Sequence, residues 1–175
     1  NGKTIGLIGT GNIGSKIADL ANNLGLNVIA WTFNPSQQKE QSLKLKYVSL
    51  KHLIQESDII SIQVKLTQDS EKMLGEEEFK MMKKNTLFIN AARGGLIDNN
   101  ALVKYLENGH IGGAALDVFE IEPIPKSHPI LKCEQVIFTP HNADLIPECI
   151  DALNEGAVQS IISFIEGNPV NIANL

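Results

Sequence analysis

The sequence predicts an α/β protein built on a doubly wound parallel sheet. Three observations carry that prediction. Short apolar runs rich in Ile and Val alternate with amphipathic stretches along the 175 residues. A glycine-rich turn stands between the first apolar run and the first amphipathic stretch. The side chains with acid, base or cationic chemistry fall just after the apolar runs, where an open parallel sheet places its ligands.

The elements follow in order. "TIGLIG" (4–9) reads as the first strand, and Ile13, Ile17, Leu20, Ala21 and Leu24 then recur at helical spacing until Gly25 stops the helix. "NVIAWTF" (27–33) is the second strand, closed by Asn34-Pro35, and a polar segment of undecided structure runs through Ser42 to Tyr47. Leu50, Leu53 and Ile54 mark a short helix before the strand "DIISIQV" (58–64), and "EEEFKMM" (76–82) marks another before "NTLFIN" (85–90). Asp98 reads as the N-cap of a helix that buries Leu102, Val103 and Leu106 and ends at Gly109. The strands "GAALDV" (113–118) and "QVIFT" (135–139) come next. From Pro147 to Glu166, Ile150, Leu153, Ala157, Ile161 and Phe164 at intervals of three or four predict a helix closing on a sheet face.

Composition bounds the function. The length suits one domain spanning 1–175. A net charge of -5 leaves no basic footprint for nucleic acid or an anionic membrane. No apolar run approaches the ~20 residues of a membrane span. Cys133 and Cys149 are the only cysteines, too few for a disulfide framework or a four-thiolate metal site, so a cytoplasmic protein without a metal is expected. The opening Asn1-Gly2-Lys3 has no methionine and runs into a strand by Thr4, which suggests a domain cut from a longer protein.

"GTGNIG" places Gly9, Gly11 and Gly14 in G-x-G-x-x-G spacing between a strand and a helix, the context that makes the spacing a Rossmann-type dinucleotide fingerprint. Gly9 permits the tight turn, Gly11 admits a pyrophosphate to the backbone, and Gly14 lets helix and strand pack. An acid usually stands about 20 residues on, where it binds the adenosine ribose and rejects a 2′-phosphate. Here that place reads "WTFNPS", with neither that carboxylate nor an arginine. Thr32, Asn34 and Ser36 could hydrogen-bond NAD or NADP. NAD is the expected cofactor, with NADP left open by Lys39.

Three strand ends carry reactive side chains. After "TLFIN" comes "AARGG" with Arg93; after "GAALDV" comes "FEIEP" with Glu120 and Glu122; after "QVIFT" come Pro140 and His141. A guanidinium grips a carboxylate by two parallel hydrogen bonds, and imidazole is the side chain best suited to pass a proton near neutral pH. Taken singly, each could equally be a surface arginine, a turn carboxylate or a loop histidine.

In order along the chain, "GLIGTGNIG", "SDIISIQVKLT", "FINAARGGLID", "GAALDVFEIEP" and "FTPHNA" resemble the cofactor-binding domain of the D-isomer-specific 2-hydroxyacid dehydrogenases. The resemblance implies NAD(P)-linked interconversion of a 2-keto acid and a D-2-hydroxy acid, and a homodimer. It also implies that Arg93 binds the substrate carboxylate and carbonyl, that His141 is the acid/base, and that Glu122 pairs with His141. The cofactor-binding set it implies is Gly9, Gly11, Asn12, Ile13, Gly14, Thr32, Asn34, Val64, Lys65, Ala91, Ala92, Arg93, Asp117, His141 and Asn142. Asp117 corresponds to a carboxamide-binding aspartate, with backbone capping an equal alternative.

The sequence departs from the family pattern in places. Asn12 stands where arginine is frequent, Lys65 where proline is usual, and Asn142 and Asp144 where small residues are common. Retention of Glu122 separates the chain from the formate-oxidising branch, which carries glutamine there. The family's second, substrate-closing domain has no counterpart in these residues. A non-catalytic, corepressor-like dinucleotide sensor of the same fold is the competing reading.

Overall fold

The computed structural model describes residues 2–172; Asn1, on which the reading of the chain's opening partly rests, lies outside them. Seven strands form one sheet in the order β3-β2-β1-β4-β5-β6-β7, and every adjacent pair is parallel. They are β1 (Thr4–Ile8), β2 (Asn27–Trp31), β3 (Lys46–Tyr47), β4 (Ile59–Ile62), β5 (Thr86–Asn90), β6 (Ile111–Leu116) and β7 (Val136–Phe138). The helices are α1 (Asn12–Asn23), α2 (Gln37–Ser42), α3 (Leu50–Glu56), α4 (Glu76–Met81), α5 (Asn99–Glu107) and α6 (Pro147–Ile165). The undecided segment resolves into the end of α2 and the edge strand β3. Strand order reverses between β1 and β4, the switch point at which doubly wound sheets bind ligands.

Register aligns the carboxyl ends. Ile8 pairs with Trp31 and Ile62, Ile62 with Asn90, Asn90 with Leu116, and Leu116 with Phe138. The residues that follow each strand therefore emerge along one edge. β6 begins at Ile111, two residues earlier than its apolar pattern predicts, because Ile111 pairs with Thr86 before the register shifts and Gly113 pairs with Leu87. A side chain on Gly112 would crowd the Asn85 backbone at 2.9 Å.

The larger core cluster lies around β4, β5, α3, α4 and α5, with Phe79 set edge-on to Phe88 at a centroid distance of 5.5 Å. Asp98 caps α5 as predicted, accepting from the N–H groups of Asn100 and Ala101, and Leu102, Val103 and Leu106 are buried. α1 differs from its prediction. Gly14, Ala18 and Ala21 are buried, whereas Leu20 is 62% and Leu24 72% exposed. Small residues face the sheet because α1 approaches β1 too closely for large ones: a Cβ on Gly14 would meet the Gly9 carbonyl oxygen at 2.1 Å.

Two compact units divide at His141 and Asn142. In the second, α6 runs nearly as predicted, with Pro147 at its start. Its expected buried stripe is exposed at Leu153, Ile161 and Phe164; the buried helix residue is Ser163, whose hydroxyl accepts from Val170 N–H at 3.4 Å. No helix among the described residues is long and apolar enough to cross a membrane.

Candidate active site

The site begins where β1 ends. Gly9 has φ +105°, and a side chain there would press on the Gln63 backbone at 2.8 Å. Gly11 precedes α1 without a side-chain cap, and an added Cβ there would find nothing within 4 Å. The N–H groups of the first turn of α1 thus keep their capacity for an anion, beside open space at Gly11. Thr10 is buried and tied from two sides, by the Tyr47 hydroxyl at 2.8 Å from its Oγ1 and by Lys39 Nζ donating to its carbonyl at 2.8 Å.

Three clefts follow one another along the carboxyl edge. The first, about 510 Å³, is lined by Gly9, Gly11, Thr32, Asn34, Val64 and Lys65 among others. The second, about 570 Å³, shares Val64 and Lys65 and adds Ile13, Ala91, Ala92 and Arg93. The third, about 580 Å³, shares Arg93 with the second and contains Glu122 and His141. Together they make a trough from the glycine loop to the histidine. The loop after β4 forms its wall and is pinned by Ser70, whose hydroxyl donates to the Lys65 carbonyl at 2.6 Å and accepts from Thr67 N–H at 2.8 Å.

Glu122 and His141 are joined: His141 Nδ1 lies 2.7 Å from Glu122 Oε2. The other carboxylate oxygen accepts from Phe119 N–H at 2.8 Å. The hydrogen bond with His141 is the main cause holding the Glu122 carboxyl below its ordinary range. The Phe119 N–H and the charges of His141 and Arg93 add to that, against partial desolvation. His141 has φ +53°, an uncommon backbone for a residue with a side chain. Arg93 is exposed, and its Nη1 donates to the Ala92 carbonyl at 2.6 Å. Its loop is anchored by Asn90, whose side chain donates to the Arg93 carbonyl and accepts from Ala92 N–H, both at 3.0 Å.

The remaining site candidates lie outside the linings of these clefts. Gly14 packs on Gly9. Asn12 is exposed as the first residue of α1. Asp117 is buried and accepts from the Thr139 hydroxyl. Asn142 is exposed in the second unit, where its carbonyl accepts from Leu145 N–H at 3.1 Å. Glu120 is exposed, pairs with Lys72 at 3.4 Å, accepts from Asn99 at 3.5 Å, and lines the third cleft. Gln63, Leu66 and Thr67 were missed, although reading on past β4 would have found them, as it found Val64 and Lys65. Among the described residues no group of three or more His, Cys, Asp or Glu could hold a metal ion.

Known proteins match the sequence and the fold. The family profile described as D-isomer specific 2-hydroxyacid dehydrogenase, NAD binding domain, matches residues 1–143. A glyoxylate reductase of Korarchaeum cryptofilum is 38% identical over 174 residues, which are 99% of this chain and 52% of that protein. The crystal structure of a glyoxylate reductase from Paecilomyes thermophila superposes with a TM-score of 0.90 at 33% identity, over 97% of this chain and 51% of that one. D-Lactate dehydrogenase from Aquifex aeolicus, solved with NAD and lactic acid, gives a TM-score of 0.87 at 31% identity, over 95% and 54%. The chain spans about half the length of the curated relatives it matches. Its ordered motifs, its sheet and its matched residues make it a member of the D-isomer specific 2-hydroxyacid dehydrogenase family, within that family's NAD-binding domain.

Proposed function

We propose that this chain is the cofactor-binding part of an oxidoreductase that moves hydride between NAD and a small 2-keto or D-2-hydroxy acid. The observation that carries the reading is that Arg93, Glu122 and His141 line one cleft, at the end of a trough that starts at the glycine loop. Bound NAD would supply the hydride acceptor or donor. The glycine loop and the first turn of α1 would hold its pyrophosphate, with Thr32 and Asn34 toward the ribose and Ala91, Ala92, Asp117 and Asn142 toward the nicotinamide.

In this reading the Arg93 guanidinium pairs with the substrate carboxylate and fixes the neighbouring carbonyl, which a point-charged lysine would orient poorly. Glu122 accepts from the Nδ1–H of His141, which leaves Nε2 to exchange a proton with the carbonyl oxygen as charge develops there. A proton so positioned typically contributes about 10² to 10⁴ in rate. Because the relatives are about twice as long, full turnover would require a second domain that closes over the substrate and excludes water. A homodimer belongs to the same proposal. So does a cytosolic location, which suits two free thiols.

A panel of 2-keto acids offered with NADH to the longer protein tests the reading. Arg93→Ala and His141→Ala are each expected to reduce turnover at least about 100-fold. Activity that survives both changes would leave the dinucleotide-sensing alternative in its place.

A further inference from the structure

The Glu122–His141 pair borders a second space. Beside the cleft that holds Arg93 lies a cavity of about 460 Å³, lined by Phe119, Glu122, Pro123, Ile124, Pro140 and His141. Arg93 lines the cleft and not the cavity, whereas Pro123, Ile124 and Pro140 line the cavity and not the cleft. Phe119, Glu122 and His141 line both, so the pair stands where the two spaces meet.

The two spaces differ in chemistry. In the cavity, Pro123 and Pro140 have no N–H to offer, and Phe119 and Ile124 present hydrocarbon. Its polar side chains, Glu122 and His141, are joined to each other at 2.7 Å, and the Phe119 N–H is taken up by Glu122 at 2.8 Å. A charged group entering there would lose water and gain few partners, whereas an apolar group would only leave water. The wall is firm, because Phe119 and Ile124 pack against the larger core and the Phe119 ring lies 6.2 Å from that of Phe138. In the cleft, Arg93 is the only arginine or lysine among the described lining residues, with Glu71, Glu120 and Glu122 around it. A substrate carboxylate paired with Arg93 leaves no further arginine or lysine in that lining for a second anionic group.

We propose that the cavity between Phe119, Ile124 and Pro140 receives the substrate's side chain, and that the substrate is a 2-keto monocarboxylic acid with a branched aliphatic or aromatic side chain. The proposal rests on the oxidoreductase reading above and names the substrate class for it. With the carboxylate on Arg93 and the carbonyl oxygen at His141, the third substituent of the carbonyl carbon passes the pair into the cavity. Ile124 is then a specificity-determining residue that takes no part in the transfer of hydride or proton. Each side-chain carbon removed from water there is worth about fourfold in kcat/KM.

The test is an assay of the longer protein with NADH and pyruvate, 2-ketobutyrate, 4-methyl-2-oxopentanoate or 2-oxoglutarate. For the unaltered protein, kcat/KM is expected to rise along the first three, by about tenfold or more in all. The value for 2-oxoglutarate, which carries a second carboxylate, is expected to lie at least about tenfold below that for 4-methyl-2-oxopentanoate. Ile124→Trp fills the cavity and should cut the ratio of 4-methyl-2-oxopentanoate to pyruvate at least about tenfold. Ile124→Ala widens it and should raise phenylpyruvate relative to 4-methyl-2-oxopentanoate. Each readout is a ratio within one protein, so partial loss of folded enzyme cancels. A preference for pyruvate or 2-oxoglutarate, or ratios that neither Ile124 variant moves, overturns the proposal and leaves the oxidoreductase reading standing. Failure to reduce any 2-keto acid overturns both.

Discussion

Gly94 packs so closely on Phe119 that a Cβ added to Gly94 would stand 2.0 Å from the Phe119 carbonyl carbon. This contact presses the loop carrying Arg93 against the backbone that leads to Glu122. Gly94→Ala must separate the two loops, whereas a Cβ on Gly95 meets only the Leu66 side chain, at 3.0 Å. Overpacking of this kind costs about 1–3 kcal/mol, so thermal unfolding of Gly94→Ala should occur roughly 2–12 °C lower. Gly95→Ala should shift far less. Equal melting curves for the two variants would show that the contact sets nothing.

Gly11 and Gly14 separate binding from folding. A side chain at Gly14 strikes the Gly9 carbonyl oxygen at 2.1 Å, and one at Gly11 strikes nothing within 4 Å. Gly14→Ala should lower both the melting temperature and NADH affinity. Gly11→Ala should leave the melting temperature within about 2 °C, as expected of a change that disturbs no packing. It should still weaken NADH, because the methyl fills the space in which a pyrophosphate approaches the backbone. Fluorescence titration and a thermal melt on each variant check the pair.

The Glu122 carboxyl titrates below its ordinary range, chiefly through its hydrogen bond with His141. A folded-state pKa beneath the unfolded one stabilises the fold above the unfolded value, about 4.3. That contribution is lost as pH falls through the lower folded value. The melting temperature of the unaltered chain should therefore exceed that of Glu122→Gln at neutral pH, and the gap should narrow below about pH 4.3. The pair is well exposed, so the gap is expected to be small. A gap that widens on acidification would contradict the assignment.

At the opposite edge of the sheet, Asp58 accepts from Thr4 N–H at 2.8 Å, with Lys3 at 3.5 Å and Lys83 at 3.8 Å. The Thr4 hydrogen bond leads the causes that lower its pKa. Asp58→Ala should cost about 0.5–1.5 kcal/mol in urea unfolding, a difference that shrinks as pH falls below about 3.9. NADH affinity should not change, because the glycine loop lies at the other end of β1. A loss of NADH affinity in this variant would mean that the two ends of β1 are coupled.

Much of the site was legible because it obeys a rule of position. Arg93, Glu122 and His141 each follow a strand, and parallel strands in register deliver such residues to one edge. The glycine fingerprint was legible because its spacing is local to one turn. Element boundaries were less so. β2 stops at Trp31, two residues before its apolar pattern ends, and Phe33 turns out edge-on to Trp31 at 4.8 Å. Periodicity on α1 picked out Ala21, which is buried, but also Leu20 and Leu24, which are exposed, since it ranks residues by hydrophobicity and takes no account of how near the next backbone comes.

The sequence by itself determined the alternation of strand and helix, the turn at Gly9 to Gly14, and which side chains would reach the carboxyl edge. Those follow from interactions between residues close in the chain. Tertiary structure decided which of them meet. Glu122 finds His141 across 19 residues, and Lys39 finds Thr10 across 29, distances over which no pattern in the chain specifies a partner. Glu120, exposed at the surface, likewise meets Lys72 from a different loop, at 3.4 Å.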